Sequence, residues 1–272
     1  MSLTRLALRV AAPVPQIASF DRVLFIGPHP DDIEIGAGAT AAKLAAAGKR
    51  VSFLVCLDGR YGLGNAPSGT TPEELIELRK AEAQASARAL GVEDVRFLGL
   101  SDGGFYEREE LRRGIARIIG EVKPQLVFAP DPDVDSECHT DHLNVGREAK
   151  EIGHFAPYRE IMAQYGAESA DVRALAFYMT ARPNRFVGTR GLIDKQLAAI
   201  LCHKTQFPAD SEDYKSVSLY LKLRAADFGL RSLQGQAEGF RVLGRTQMHC
   251  LPEAGRSTTE AESFCSPPLS SV

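Results

Sequence analysis

Four short apolar runs recur down the chain with room for one helix between each pair: RVLFIG at 22–27, RVSFLVCLDG at 50–59, DVRFLGL at 94–100 and QLVFAP at 125–130. The first two are apolar at successive positions, as strands buried on both faces of a parallel sheet are. Between the runs, GATAAKLAAAG (38–48), PEELIELRKAEAQASARAL (72–90) and REELRRGIARIIGEV (108–122) read as helices. The middle one carries the clearest end signals, with Pro72 and early glutamates at its start and Gly91 just past its end. A further helix is expected to begin near Asp141, and VRALAFYM (172–179) supplies a fifth strand. This alternation predicts an α/β, Rossmann-like single domain: a mostly parallel sheet, right-handed crossovers and helices on both faces. The ligand crevice of such a sheet lies beyond the carboxyl ends of its strands, at the point where the strand order reverses.

Composition bounds the function. At 272 residues, 44% hydrophobic and 25% charged, the chain is long enough for one large α/β domain. A net charge of −3 provides no broad basic face for nucleic acid. No apolar run approaches the roughly 20 residues of a membrane span. The opening MSLTRLALRVAAPVPQ is too short and too interrupted by arginine for a secretory signal. Five cysteines without CxxC spacing fit reduced thiols in a cytoplasmic protein. Residues 1–251 are expected to form the domain, and 252–272, rich in Ser, Thr, Glu and Pro, a loose tail.

The first strand runs into GPHPDDIEIGAG, which places His29, Asp31 and Asp32 just past its end. A turn followed by a helix cap would use Pro30 and one aspartate, leaving the other aspartate and His29 over. The fourth strand runs into DPDVDSECHTDHLNVGR, where His139 and His142 are three apart and can share one face at a helix start. Both clusters therefore fall at the same carboxyl edge. His29, Asp32 and one of the later histidines make a two-histidine, one-carboxylate set suited to zinc or another divalent metal, with a position left for water. Arg60, in LDGRYG after the second strand, is placed to line the mouth of such a site.

PHPDDIEIGAG followed by HTDH resembles the LmbE-like, or PIG-L, family of metal-dependent N-acetylglucosamine deacetylases. The resemblance continues through LRKAEAQASARALGV, LGLSDGGF and HKTQF, over roughly residues 22–207. Many members carry Glu directly after HPDD, whereas here Ile33 intervenes before Glu34. The resemblance implies that His29, Asp32 and His142 hold the metal and that Asp31 is the general base. His139 would then be the partner of the developing oxyanion, with Asp141 either orienting His139 and keeping it protonated through its carboxylate or serving as a first-turn helix aspartate. Arg79 and Asp102 match positions that bind sugar hydroxyls. Read without the family, they are a solvated helix position and a turn residue before Gly103–Gly104. His249 matches a histidine that, in oligomeric relatives, reaches the site of a neighbouring subunit; the implied assembly is a trimer or hexamer. His203 is placed to support the pocket from below. His154 reads as an ordinary histidine, and Cys138 as a passive thiol.

The implied activity is zinc-dependent removal of the N-acetyl group from a GlcNAc-containing small molecule or short saccharide. Alternatives are a related amidase for another N-acylated amino-sugar conjugate, such as a thiol or antibiotic precursor, and a sugar-binding relative without catalysis. A nucleotide-binding reading suffers because GPHPDDIEIGAG is not GxGxxG, and paired aspartates at a helix start repel a pyrophosphate.

Overall fold

The computed structural model describes residues 7–8, 10–249 and 251; the expected tail at 252–272 lies outside them. β1 (Arg22–Gly27), β2 (Arg50–Leu57), β3 (Asp94–Leu100), β4 (Leu126–Pro130) and β5 (Ala174–Tyr178) form the parallel part of one sheet. With β6 (Arg185–Gly188) and β7 (Ala237–Gly244) the strand order is β3-β2-β1-β4-β5-β7-β6, so the chain steps outward from β1 and then returns to its other side. The reversal between β1 and β4 opens the crevice expected at a switch point.

Side chains of β1 alternate between two cores, as the two-residue strand period requires. Val23 and Phe25 join Ile33, Phe53, Phe128 and Tyr178 on one face; Leu24 and Ile26 join Leu54, Ile115, Val127 and Ile152 on the other. The first face is covered by α1 (Asp32–Ala46) and α2 (Pro72–Leu90), the second by α3 (Arg108–Val122) and α4 (Thr140–Phe155). α2 and α3 occupy the ranges expected from sequence. Thr71 and Glu74 close a reciprocal cap at the start of α2, and Gly91 at φ 89° ends it.

After α5 (Arg159–Gln164) and β5 come β6 (Arg185–Gly188), α6 (Ile193–Ile200), α7 (Glu212–Ser232) and β7 (Ala237–Gly244). β7, unanticipated in the sequence, inserts antiparallel between β5 and β6. It also reaches into α1. That helix breaks at Ala37 (φ −155°), which frees the amides of Ala39 and Thr40 and the carbonyl of Glu34. The Glu238 carboxylate accepts from both amides at 3.2 and 2.7 Å, and Gln196 Nε2 donates to the Glu34 carbonyl at 2.8 Å. Close packing fixes the first half of α1: a Cβ on Gly36 would fall 2.2 Å from the Tyr178 ring.

Candidate metal centre

The loop after β1 and the start of α4 bring three imidazoles together. The His139 and His142 rings stack 4.7 Å apart, and His29 lies 5.0 and 5.5 Å from them. One nitrogen from each of the three falls within 4.8 Å of the others. Asp32 sits among them, its Oδ2 3.2 Å from His29 Nδ1 and its Oδ1 3.5 Å from His142 Nε2. The far nitrogen of each of these two histidines meets another carboxylate: His29 Nε2 is 3.0 Å from Asp141 Oδ2, and His142 Nδ1 is 3.1 Å from Glu137 Oε2. An imidazole bonded to a carboxylate through one nitrogen presents the other with its lone pair held in place, the arrangement metal-ligating histidines use. The donor set of two such nitrogens and one carboxylate fits zinc. Burial opposes charge on His29, yet Asp141 and Asp32 push its pKa up to about 10. Burial also works against ionised Asp32, but His142 and His29 hold its carboxyl well below the usual range.

Asp31 occupies the N-cap position of α1 but makes no cap bond there. Its backbone stands at φ 125°, a conformation that costs a non-glycine residue on the order of 1–3 kcal/mol. The side chain turns instead to Arg79, whose Nη2 donates to Asp31 Oδ2 at 2.9 Å and to the Pro30 carbonyl at 2.8 Å. Arg79 Nη1 donates to the Gly59 carbonyl at 3.1 Å. Burial raises the Asp31 pKa to about 6 against the pull of Arg79. Asp102 is also buried. Its Oδ2 accepts from the Tyr61 amide at 3.4 Å, while Oδ1 has no partner.

The matches to known proteins agree with this geometry. Residues 24–152 match the PIG-L family model, described as GlcNAc-PI de-N-acetylase. The diacetylchitobiose deacetylase of Thermococcus kodakarensis is 31% identical over 255 residues, 93% of each chain. The chain belongs to the PIG-L family. The N,N'-diacetylchitobiose deacetylase of Pyrococcus horikoshii superposes on this PIG-L chain with a TM-score of 0.80 at 28% identity, covering 93% of this chain and 97% of that one. A 1D-myo-inositol 2-acetamido-2-deoxy-alpha-D-glucopyranoside deacetylase of Kineococcus radiotolerans is 33% identical over 153 residues, 46% of this chain and 42% of its own.

Within the PIG-L chain, the remaining expected site residues are placed as follows. Arg79 is 4% exposed and spends its guanidinium on Asp31 and two carbonyls, so it braces the loop rather than facing a sugar. Asp141 lies against His29; its distance to His139 Nδ1 is 3.9 Å, and its Oδ atoms also accept from the Gly103 and Gly104 amides at 2.7 and 2.9 Å. Burial, then His29 and His142, lower the pKa of His139. Its Nδ1 accepts from the Asp141 amide at 3.3 Å, which puts the proton of the neutral ring on Nε2. Arg60 pairs with Asp58 after β2 and is 30% exposed along its side chain. His249 is exposed and packs 6.0 Å from His154 near the carboxyl end of α4, the end opposite His139 and His142. His203, fully buried, lies 3.5 Å from Glu34 on the helix that carries Asp32. Glu137 went unnoticed in the sequence, since only its five-residue offset from His142 separates it from the other acids of DPDVDSE.

Proposed function

We propose that this chain is a zinc-dependent deacetylase that releases acetate and a free amine from a GlcNAc-containing small molecule or short saccharide. The observation that carries this reading is the convergence of His29, Asp32 and His142 with the buried, arginine-braced Asp31 at the carboxyl ends of β1 and β4. His29, Asp32 and His142 would hold the ion; zinc there supplies Lewis acidity to the amide carbonyl and makes water acidic enough to lose a proton near neutrality. Asp31 takes that proton and returns it to the departing amine, and Arg79 keeps the carboxylate oriented and ionised. His139, with its proton on Nε2, donates to the oxygen that gains charge as water adds. Asp141 holds His29 in the tautomer that leaves Nδ1 free for the metal. The Oδ1 of Asp102, buried and without a partner, would accept from a sugar hydroxyl that reaches it, and Arg60, paired with Asp58 after β2, would line the mouth. The diacetylchitobiose deacetylase likeness along nearly the whole chain supports a short GlcNAc saccharide as substrate. Incubating the zinc-loaded protein with N,N'-diacetylchitobiose and measuring free amine and acetate tests the reading. Stoichiometric release that stops on chelation and returns with zinc is the expected result; no release with metal bound would refute it.

A further inference from the structure

α7 has two apolar seams. One, formed by Leu221, Ala225, Phe228 and Gly229, is buried against the domain, where Leu221 and Ala225 meet Ile193, Leu197 and Ile200 of α6. The other faces solvent: Leu219 is 60% exposed, Leu223 62%, Leu230 76% and Leu233 92%, with Ala226 exposed between them. At 100° per residue the two seams lie roughly 140° apart round the helix. A soluble helix against one domain needs only the first. The spacing of the second, 219–223–226–230–233, alternates steps of four and three residues, the period of a coiled-coil seam. Leu233, at the C-cap with φ 57°, closes it.

We propose that this seam is the docking surface for α7 of a second copy of the chain, the two helices running parallel and in register about a two-fold axis. The choice of partner rests on self-complementarity. A 3.5-residue seam is matched by an identical seam, and a two-fold contact sets each leucine layer against its own copy. Flanking charge selects the direction. With Leu223 and Leu230 as a positions, Lys215 and Lys222 fall at g, and Asp213, Tyr220 and Asp227 at e. A parallel pair sets Lys222 opposite Asp227 of the other copy, twice by symmetry. An antiparallel pair would set lysine against lysine along the g edge. Asp227, bonded to Arg231 of its own helix at 3.3 Å, is exposed and accessible for that contact. None of the seam residues is a metal ligand, so pairing does not depend on the proposed activity.

The test is mass in solution. Wild-type protein is measured by sedimentation equilibrium across a concentration series, beside a Leu223→Glu, Leu230→Glu double variant. The expected result is an even-numbered assembly whose mass halves in the variant, with dissociation strengthened by about a hundredfold or more. Helix content and zinc content of the variant should match wild type, because its substitutions lie outside the domain's own core. Lys222→Asp and Asp227→Lys should each weaken the pair, and the two together should restore it. A monomeric wild type overturns the proposal, as does an assembly whose mass the leucine variant leaves unchanged. Failure of the charge-reversed double variant to recover pairing overturns the parallel register.

Discussion

Arg79 and Asp31 form a buried ion pair, 2.9 Å between Nη2 and Oδ2, joining the middle of α2 to the loop that carries the metal ligands. Breaking a buried pair leaves an uncompensated charge, which typically costs about 3–5 kcal/mol. Burial already raises Asp31 to about 6, and Arg79 pulls in the other direction. The base must be ionised to act, so kcat/KM should fall as pH drops through the Asp31 pKa. Arg79→Gln should move that acid limb to higher pH and lower the melting temperature. Arg79→Lys should keep more of the stability but lose the donors to Pro30 and Gly59. A pH profile of Arg79→Gln superimposable on wild type would refute the coupling.

On the proposed mechanism, metal binding and proton transfer separate at adjacent residues. Asp31→Asn should retain zinc and bind substrate while losing about 10²–10⁴-fold in turnover, the usual contribution of a positioned base. His142→Ala or Asp32→Asn should lose the metal. Metal analysis of the purified variants, run beside turnover, distinguishes the two outcomes. An Asp31→Asn protein without metal beside a metal-loaded Asp32→Asn protein would exchange the roles.

Glu137 holds His142 from behind at 3.1 Å, and the His139 amide donates to its other oxygen at 2.7 Å. Outer partners of metal-bound histidines typically account for 10–100-fold in metal affinity. Glu137→Gln should weaken zinc binding by about that factor, measured by competition with a chelator, while saturating zinc restores most activity. An unchanged zinc affinity would make Glu137 a loop brace only.

Asp102 offers the one site carboxylate oxygen that is buried and unpartnered among the described residues. A charge-assisted hydrogen bond to a sugar hydroxyl is worth roughly 1.5–3 kcal/mol. Asp102→Ala should therefore cost about ten- to a hundredfold in kcat/KM on a GlcNAc saccharide, with zinc retained. It should barely affect a simple activated acetyl ester, which has no hydroxyls. Equal losses on both substrates would place Asp102 in support of the loop instead.

What could be read in the sequence was local. α2 declares itself through Thr71, Pro72, Glu74 and Gly91, all at its own ends, and the runs of β1, β2 and β4 show their burial residue by residue, whereas β3 is only half-buried. The two histidine–aspartate clusters follow from strand ends sharing an edge. Contacts across long separations were hidden. Arg79 meets Asp31 from 48 positions away, and nothing in the helical period of α2 reveals that two loops fold over its guanidinium. β7 was missed because its neighbours β5 and β6 precede it by long stretches, and its antiparallel slot follows from pairing rather than from the alternation of strand and helix. The Asp141 role was misassigned because proximity in HTDH favours His139, whereas the fold brings His29 closer, 112 positions distant.

β7 also ties the site to the order of synthesis. Glu238 caps the second half of the helix that carries Asp32, and Arg241 binds Asp131 at the end of β4, just before the histidine loop. Chains emerge from the ribosome N-terminus first, so HPDD and HTDH are both exposed long before either brace exists. A nascent chain thus carries every ligand yet lacks the frame that aligns them. If the proposed site holds a metal, its capture in the native geometry is a property of finished polypeptides, and a chain cut short before β7 would carry the candidate ligands without the braces.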